Sequence, residues 1–141
     1  MRRMYIVFLI LIFISLLVKV TVYGANVKKN KSAQYENWQN VSIIQLIATP
    51  ERFHNKFVLV IGFVNLKFEG DAVYLSEEHY KHGLTKDAVW LNLTEEIGKN
   101  KEQYNGKYCL IMGKFNAKRN GHMGAFSGEI GDIERFVVNE R

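Results

Sequence analysis

The sequence predicts a mainly β domain with short helices: a five-stranded barrel preceded by a short N-terminal helix and an export signal. Three observations predict it. Apolar, β-branched runs recur five times between Val41 and Val138, separated by turns rich in glycine and asparagine. Two of these runs carry a central glycine, Gly62 and Gly113, which a flat strand disfavours and a coiled barrel strand uses. Ahead of them all, Arg2-Arg3 introduces an almost uninterrupted apolar run from Tyr5 to Val18.

That N-terminal run fits the apolar stretch of a secretory signal and falls short of the ~20 residues needed to cross a bilayer. The preceding positive charge holds the N-terminus on the cytoplasmic side. Val22-Tyr23-Gly24 places modest or small residues at the −3 and −1 positions, so cleavage is expected after Gly24. A retained anchor stays open, because Lys19 can snorkel and Val20 to Tyr23 can lengthen the span. A buried soluble helix does not fit, since no face of the segment is polar. No cysteine stands near the cleavage region, which argues against a lipid anchor. The organisation is therefore a signal peptide or membrane anchor over 1–24, a polar tether over 25–40 and one domain over 41–141.

Within the domain, Ser42-Ile43-Ile44-Gln45 has the form of a capping box and opens a short helix to about Ala48. Thr49-Pro50-Glu51 restarts a helical turn: Thr caps, Pro suits the first position and Glu favours the helix N-terminus. Phe57 to Leu66 is the longest strand, with Gly62 marking a bulge or bend. Glu69-Gly70-Asp71 turns the chain into a second strand, Ala72 to Leu75. Ser76-Glu77-Glu78 caps a short helix ending near Gly83, and Ala88 to Leu93 is the third strand. Thr94-Glu95-Glu96 caps a helix to about Tyr104, which Gly98 weakens by about 1 kcal/mol relative to alanine. Asn105-Gly106 leads into the fourth strand, Lys107 to Ala117. A glycine-rich loop, Lys118 to Phe126, precedes the fifth, Ser127 to Val138.

Five strands with a helix between the third and fourth is the order of a small Greek-key barrel. An open α+β sandwich has the same order but less use for glycine inside two strands. Strand alternation sends Val58, Val60, Val64, Val73, Leu75, Val89 and Leu91 inward. Phe57, Leu59, Ile61, Phe63, Tyr74 and Trp90 then face outward.

The formal charge of +5 hides a division. Arg2, Arg3 and Lys19 lie in the N-terminal segment, while Lys28, Lys29, Lys31 and Glu36 lie in the tether. From Val41 onward, 13 Lys and Arg balance 13 Asp and Glu. A domain without charge excess lacks the general attraction that a phosphate backbone requires. The single cysteine, Cys109, allows no intrachain disulfide and sits in the apolar run YCLIM as a small buried hydrophobe.

The segments Ser42-Ile-Ile-Gln-Leu46, Pro50-Glu-Arg-Phe-His54 and Lys56-Phe-Val-Leu-Val-Ile-Gly62 carry a resemblance. Asn105-Gly-Lys-Tyr-Cys-Leu-Ile-Met-Gly113 echoes the last of them. From Val41 to Val138 the chain resembles small exported bacterial OB-fold domains, including the tRNA_anti-like type, an uncharacterised group. The resemblance implies an OB-fold-like barrel in the bacterial cell envelope. Its motifs are structural, and nucleic-acid binding does not follow from the fold.

Three constellations are candidates for function. Phe63, Tyr74 and Trp90 form an outward aromatic set suited to stacking a ligand, unless the N-terminal helix or a second copy covers them. Lys118, Arg119 and His122 supply the domain's one local basic cluster, on a loop that often joins OB-fold ligand sites; an ordinary hairpin tip has the same composition. Glu78, His79 and His82 have helical spacing for a shared cation, a weak metal set that a solvated charged helix explains better. Ser76 and Ser127 lack an elbow setting, and no Walker loop or metal motif is present, so neither an enzyme nor a cofactor is expected.

The expected protein is an exported binding or interaction module, periplasmic or secreted, or else anchored to the inner membrane. Its partner would be a protein or small envelope ligand, with membrane contact only through the N-terminal segment. Single-stranded nucleic-acid binding is the alternative, followed by a metal-dependent hydrolase.

Overall fold

The structure, a computed structural model, describes residues 13–19, 21 and 38–140. The chain divides into two units, Met1–Asn37 and Trp38–Arg141. In the first, residues 13–19 and 21 are helical with exposed side chains, and the Thr21 hydroxyl donates to the carbonyls of Leu17 and Val18. No helix among the described residues is long and apolar enough to cross a membrane. Arg2-Arg3, the expected cleavage point after Gly24 and most of the expected tether lie outside the described residues.

In the second unit the elements are β1 (Gln39–Asn40), α1 (Ile43–Ala48), α2 (Pro50–Phe53), β2 (Phe57–Asn65), β3 (Ala72–Tyr74) and α3 (Glu77–Lys81). They continue through β4 (Ala88–Leu91), α4 (Glu95–Lys99), β5 (Lys107–Asn116) and β6 (Glu129–Val138). The strand order is β1-β2-β3-β4-β6-β5, and β5 pairs back onto β2. Strands β2 to β6 thus close a mixed five-stranded barrel with the connectivity of an OB-fold, its parallel pair being β4 and β6. Strand β1 is an addition that the sequence pattern did not reveal. Two residues of the expected tether pair in parallel with Val58 and Leu59, and Trp38 packs its ring 5.0 Å from Phe57.

Three of the four α-helices of this unit start at a side-chain cap. Ser42 Oγ accepts from the Gln45 N–H at 3.1 Å, and Gln45 Oε1 accepts from the Ser42 N–H at 2.8 Å, completing the capping box. Thr49 departs from expectation: its hydroxyl donates back to the Gln45 carbonyl, so α2 begins at Pro50 without a side-chain cap. Ser76 and Thr94 cap α3 and α4. Helix α4 stops at Lys99, one residue beyond Gly98, and a single tighter turn over Lys101–Gln103 takes the chain on toward Tyr104.

The interior is aliphatic. Val58, Val60, Val64, Val73, Val89, Leu91, Cys109, Ile111, Phe115 and Ile130 are all buried there, joined by Ile43 and Leu46 from α1. The two strand glycines act differently. At Gly62 the pairing with β5 runs on unbroken, so the expected bulge is absent. A Cβ there would lie 2.5 Å from Ile43 Cδ1 and 2.6 Å from the Tyr74 carbonyl oxygen, so close approach is what demands glycine. Gly113 does sit at an irregularity, where the β5–β6 register shifts between Met112 and Lys114.

Candidate functional site

The outer face of β2, β3 and β4 carries Phe63, Tyr74 and Trp90, as alternation requires. The protein covers this face itself. Tyr80, projecting from α3, packs its ring 5.8 Å from Phe63 and 5.4 Å from Tyr74. Phe126, from the β5–β6 loop, lies 5.2 Å from Trp90. Together with Ala72 and Ala88 these residues form a second core, in which Phe63 and Tyr74 are only 5% and 4% exposed. Burial, and then the neighbouring Tyr80, raise the Tyr74 phenol above its ordinary pKa. The cover comes from α3 and the loop, whereas α1 sends Ile43 and Leu46 into the main interior.

Trp90 is half-buried. Gly121, at φ +62°, lies so close to the indole that a Cβ would fall 2.6 Å from its ring carbons. Trp90 also lines a groove of about 490 Å³, together with Asn92, Leu93, Thr94 and the Asp71–Lys101 ion pair. Hydrogen bonds fix the loop in this position. The Trp90 N–H donates to the Gly128 carbonyl at 2.9 Å, and the Ser127 N–H to that of Ala88 at 3.0 Å. Ser127 Oγ donates to the Lys86 carbonyl, and Lys86 Nζ donates to that of Gly124.

The three basic loop residues part company. Lys118 is exposed at the start of the loop. Arg119 turns to Glu129, 3.2 Å away and nearly buried, and supplies the countercharge that a carboxylate in that position needs. His122 reaches across to Glu69 on the β2–β3 loop, 3.6 Å away. The β5–β6 loop therefore crosses the outer face of β4 and meets the β2–β3 loop at the His122–Glu69 contact, an ion pair when the imidazole is protonated. Beside each partner of that pair stands a bare apolar side chain: Phe68 next to Glu69 and Met123 next to His122, each 90% exposed.

Glu69 and Met123 also hold left-handed backbone, at φ 56° and 52°. For a residue other than glycine this costs on the order of 1 kcal/mol. Such strain concentrates at sites that bind or switch. Sequence reasoning missed this junction because it ranked aromatic residues by strand alternation, and Phe68 and Met123 lie in turns. The available signal was a large apolar residue set directly among turn residues, in Lys67-Phe68-Glu69-Gly70 and Gly121-His122-Met123-Gly124.

The α3 cluster does not gather. His82 Nε2 lies 3.8 Å from Glu78, but His79 turns back, with Nδ1 2.7 Å from Ser76 Oγ and Nε2 3.9 Å from Asp87. Among the described residues no three potential metal ligands converge. The Ser76–His79–Asp87 contacts have the outline of a nucleophile, base and acid, yet Ser76 is the helix cap and accepts from the His79 N–H. A capping serine with a histidine three positions on produces this contact locally. Cys109 is wholly buried, and burial pushes its thiol up to about 11 despite the opposing effect of Lys107. A second groove, of about 790 Å³, runs between α4 and β6 past Glu95, Asn100, Tyr104 and Arg135.

No family model matches the chain, and no curated protein matches it in sequence.

Proposed function

We propose that this is an exported protein of the bacterial envelope, of the tRNA_anti-like OB-fold type, whose barrel serves as a binding module. Its binding surface is the junction of the β2–β3 and β5–β6 loops, with the half-open edge of Trp90 beside it. The observation that carries this reading is the pair Phe68 and Met123, each 90% exposed on loops that meet where His122 lies 3.6 Å from Glu69. Two large apolar side chains held bare at a fixed junction favour contact with another component. Export rests on Arg2-Arg3 and the apolar run that follows. The equal numbers of acidic and basic residues from Val41 onward weigh against a polyanionic partner.

The test is to express the full chain with a C-terminal tag in a bacterial host and a photo-crosslinking residue at position 68. A control places the same residue at position 135, on β6 opposite Met112. Recovery in the envelope or secreted fraction, with adducts from position 68 and not from 135, is the expected result. Cytoplasmic retention overturns export, and equal adducts from both positions overturn the assignment of the surface.

A further inference from the structure

Phe68 and Met123 do not belong to a continuous apolar patch. Lys67 and Glu69 flank the first; His122 and Gly124 flank the second, and all four are exposed. A protein interface needs a contiguous apolar centre excluded from water by a rim. Separate apolar tips among cations suit another kind of surface, a lipid bilayer. There, side chains enter the boundary between headgroups and acyl chains one by one, and lysines meet the anionic headgroups.

The charges around the junction are arranged for that. Lys67, Lys86 and Lys118 form no ion pair with a carboxylate among the described residues. Lys67 donates to the Tyr80 hydroxyl at 2.7 Å, and Lys86 places its ammonium on the carbonyl of Gly124, next to Met123. Of the acidic groups nearby, Glu129 is paired with Arg119 and Asp71 with Lys101, while Glu69 lies 3.6 Å from His122, which offsets its charge only when protonated. A domain neutral overall therefore carries three lysines without a carboxylate partner on or against the segments that bear its two bare apolar side chains: Lys67 beside Phe68, Lys86 on the Gly124 carbonyl and Lys118 at the start of the β5–β6 loop.

The chain also brings its own route to a bilayer. The Tyr5–Val18 run passes through or stays in a membrane, whether it acts as a signal or as an anchor. Residues 20–37 connect it to Trp38 with a covalent reach of at most about 65 Å. With the run retained, loop docking becomes an intramolecular event, and individually weak contacts suffice.

We infer that the junction of the β2–β3 and β5–β6 loops docks on an anionic lipid surface, with Phe68 and Met123 entering the interface and Lys67, Lys86 and Lys118 facing the headgroups. This inference rests on the reading of the junction as the binding surface and names its partner.

The experiment uses the full chain in vesicles of phosphatidylcholine with about a third phosphatidylglycerol. Three variants with one added cysteine each, Phe68→Cys, Lys118→Cys and Arg135→Cys, carry a polarity-sensitive fluorophore at that position, and buried Cys109 stays unlabelled. Lipids with a quencher near the headgroup should quench probes at 68 and 118 at least about 5-fold more than the probe at 135. In a Phe68→Ser/Met123→Ser background the probe at 118 should lose most of its quenching while the melting temperature is kept. Quenching at 68 and 118 no greater than at 135 overturns membrane docking. If the crosslinker at 68 then still captures a defined protein, the binding surface stands and only its partner was misassigned; absence of both removes the binding surface as well.

Discussion

The barrel interior and the aromatic cluster on its outer face are two cores built from the same strands by different rules. Val58, Val60 and Val64 point one way from β2, and Phe63 points the other. The interior is closed chiefly by strand pairing, with β5 returning to β2 over residues 57–64, and α1 adds Ile43 and Leu46 to it. The outer cluster needs elements from outside the strands: Tyr80 from α3 and Phe126 from the β5–β6 loop. An interior enclosed by backbone ladders is fixed once the sheet closes. A cluster covered by a five-residue helix and a loop is held by side-chain contacts and a few hydrogen bonds, and belongs to the part of the molecule that opens first. The face most obviously suited to a ligand is thus already filled by the protein's own side chains.

This contrast is broken most severely from inside. Phe115→Ala removes the largest fully buried side chain, against whose ring Gly128 packs, and should cost about 3–5 kcal/mol in chemical denaturation. Phe126→Ala should cost less, about 1–3 kcal/mol, because water can enter the space it leaves. Its signature should be local: amide exchange rises across residues 118–128 while β2 and β5 keep their protection. If exchange rises equally throughout the barrel, the two cores are a single unit.

Gly121→Ala sharpens the same comparison. A left-handed backbone and the Trp90 ring both oppose the new methyl group, so about 1–2 kcal/mol should be lost. In a Trp38→Phe background, the emission of Trp90 should move to longer wavelength as the loop lifts. An unchanged spectrum would show that the loop tolerates the methyl without leaving the indole.

The smallest effect at neutral pH concerns Cys109. With the thiol raised to about 11, roughly one molecule in a thousand is thiolate at pH 8, and thiol reagents should react only at the rate of unfolding. The sign follows from the direction. A folded-state value above the ordinary 9.0 gives a contribution that is complete below pH 9 and is lost as pH rises toward 11. Tyr74, also raised from its ordinary 10.0, acts in the same direction, its contribution being complete below pH 10. Rapid labelling of the folded protein at pH 8 would contradict the burial of this strand.

Much of the barrel was legible because its cues are local. Alternation along β2 assigned Val58, Val60 and Val64 to the interior, and Ser42 with Gln45 fixed the start of α1. Gly62 suggested a bulge or bend, and that close packing is what demands glycine there depended on Ile43 and Tyr74, which are distant in sequence. Strand β1 was hidden, since a two-residue parallel strand has no periodicity of its own. At the candidate site Trp90, Lys118 and His122 were legible as residue types, but the partners of His122 and Arg119 were not. Glu69 is 53 positions from His122, and Glu129 lies on the following strand.

By itself the sequence determined where the five barrel strands run, which face of each is apolar and where the chain's positive charge lies. These depend on residue type and on a period of two. Tertiary structure alone decided that the outer aromatic face is covered, that Arg119 turns to Glu129, and that Phe68 and Met123 stand bare on two joined loops. The physical reason is that exposure depends on what the rest of the chain brings to a residue. Here that comes from α3 and the β5–β6 loop, whose paths are set by the closed barrel on which they lie.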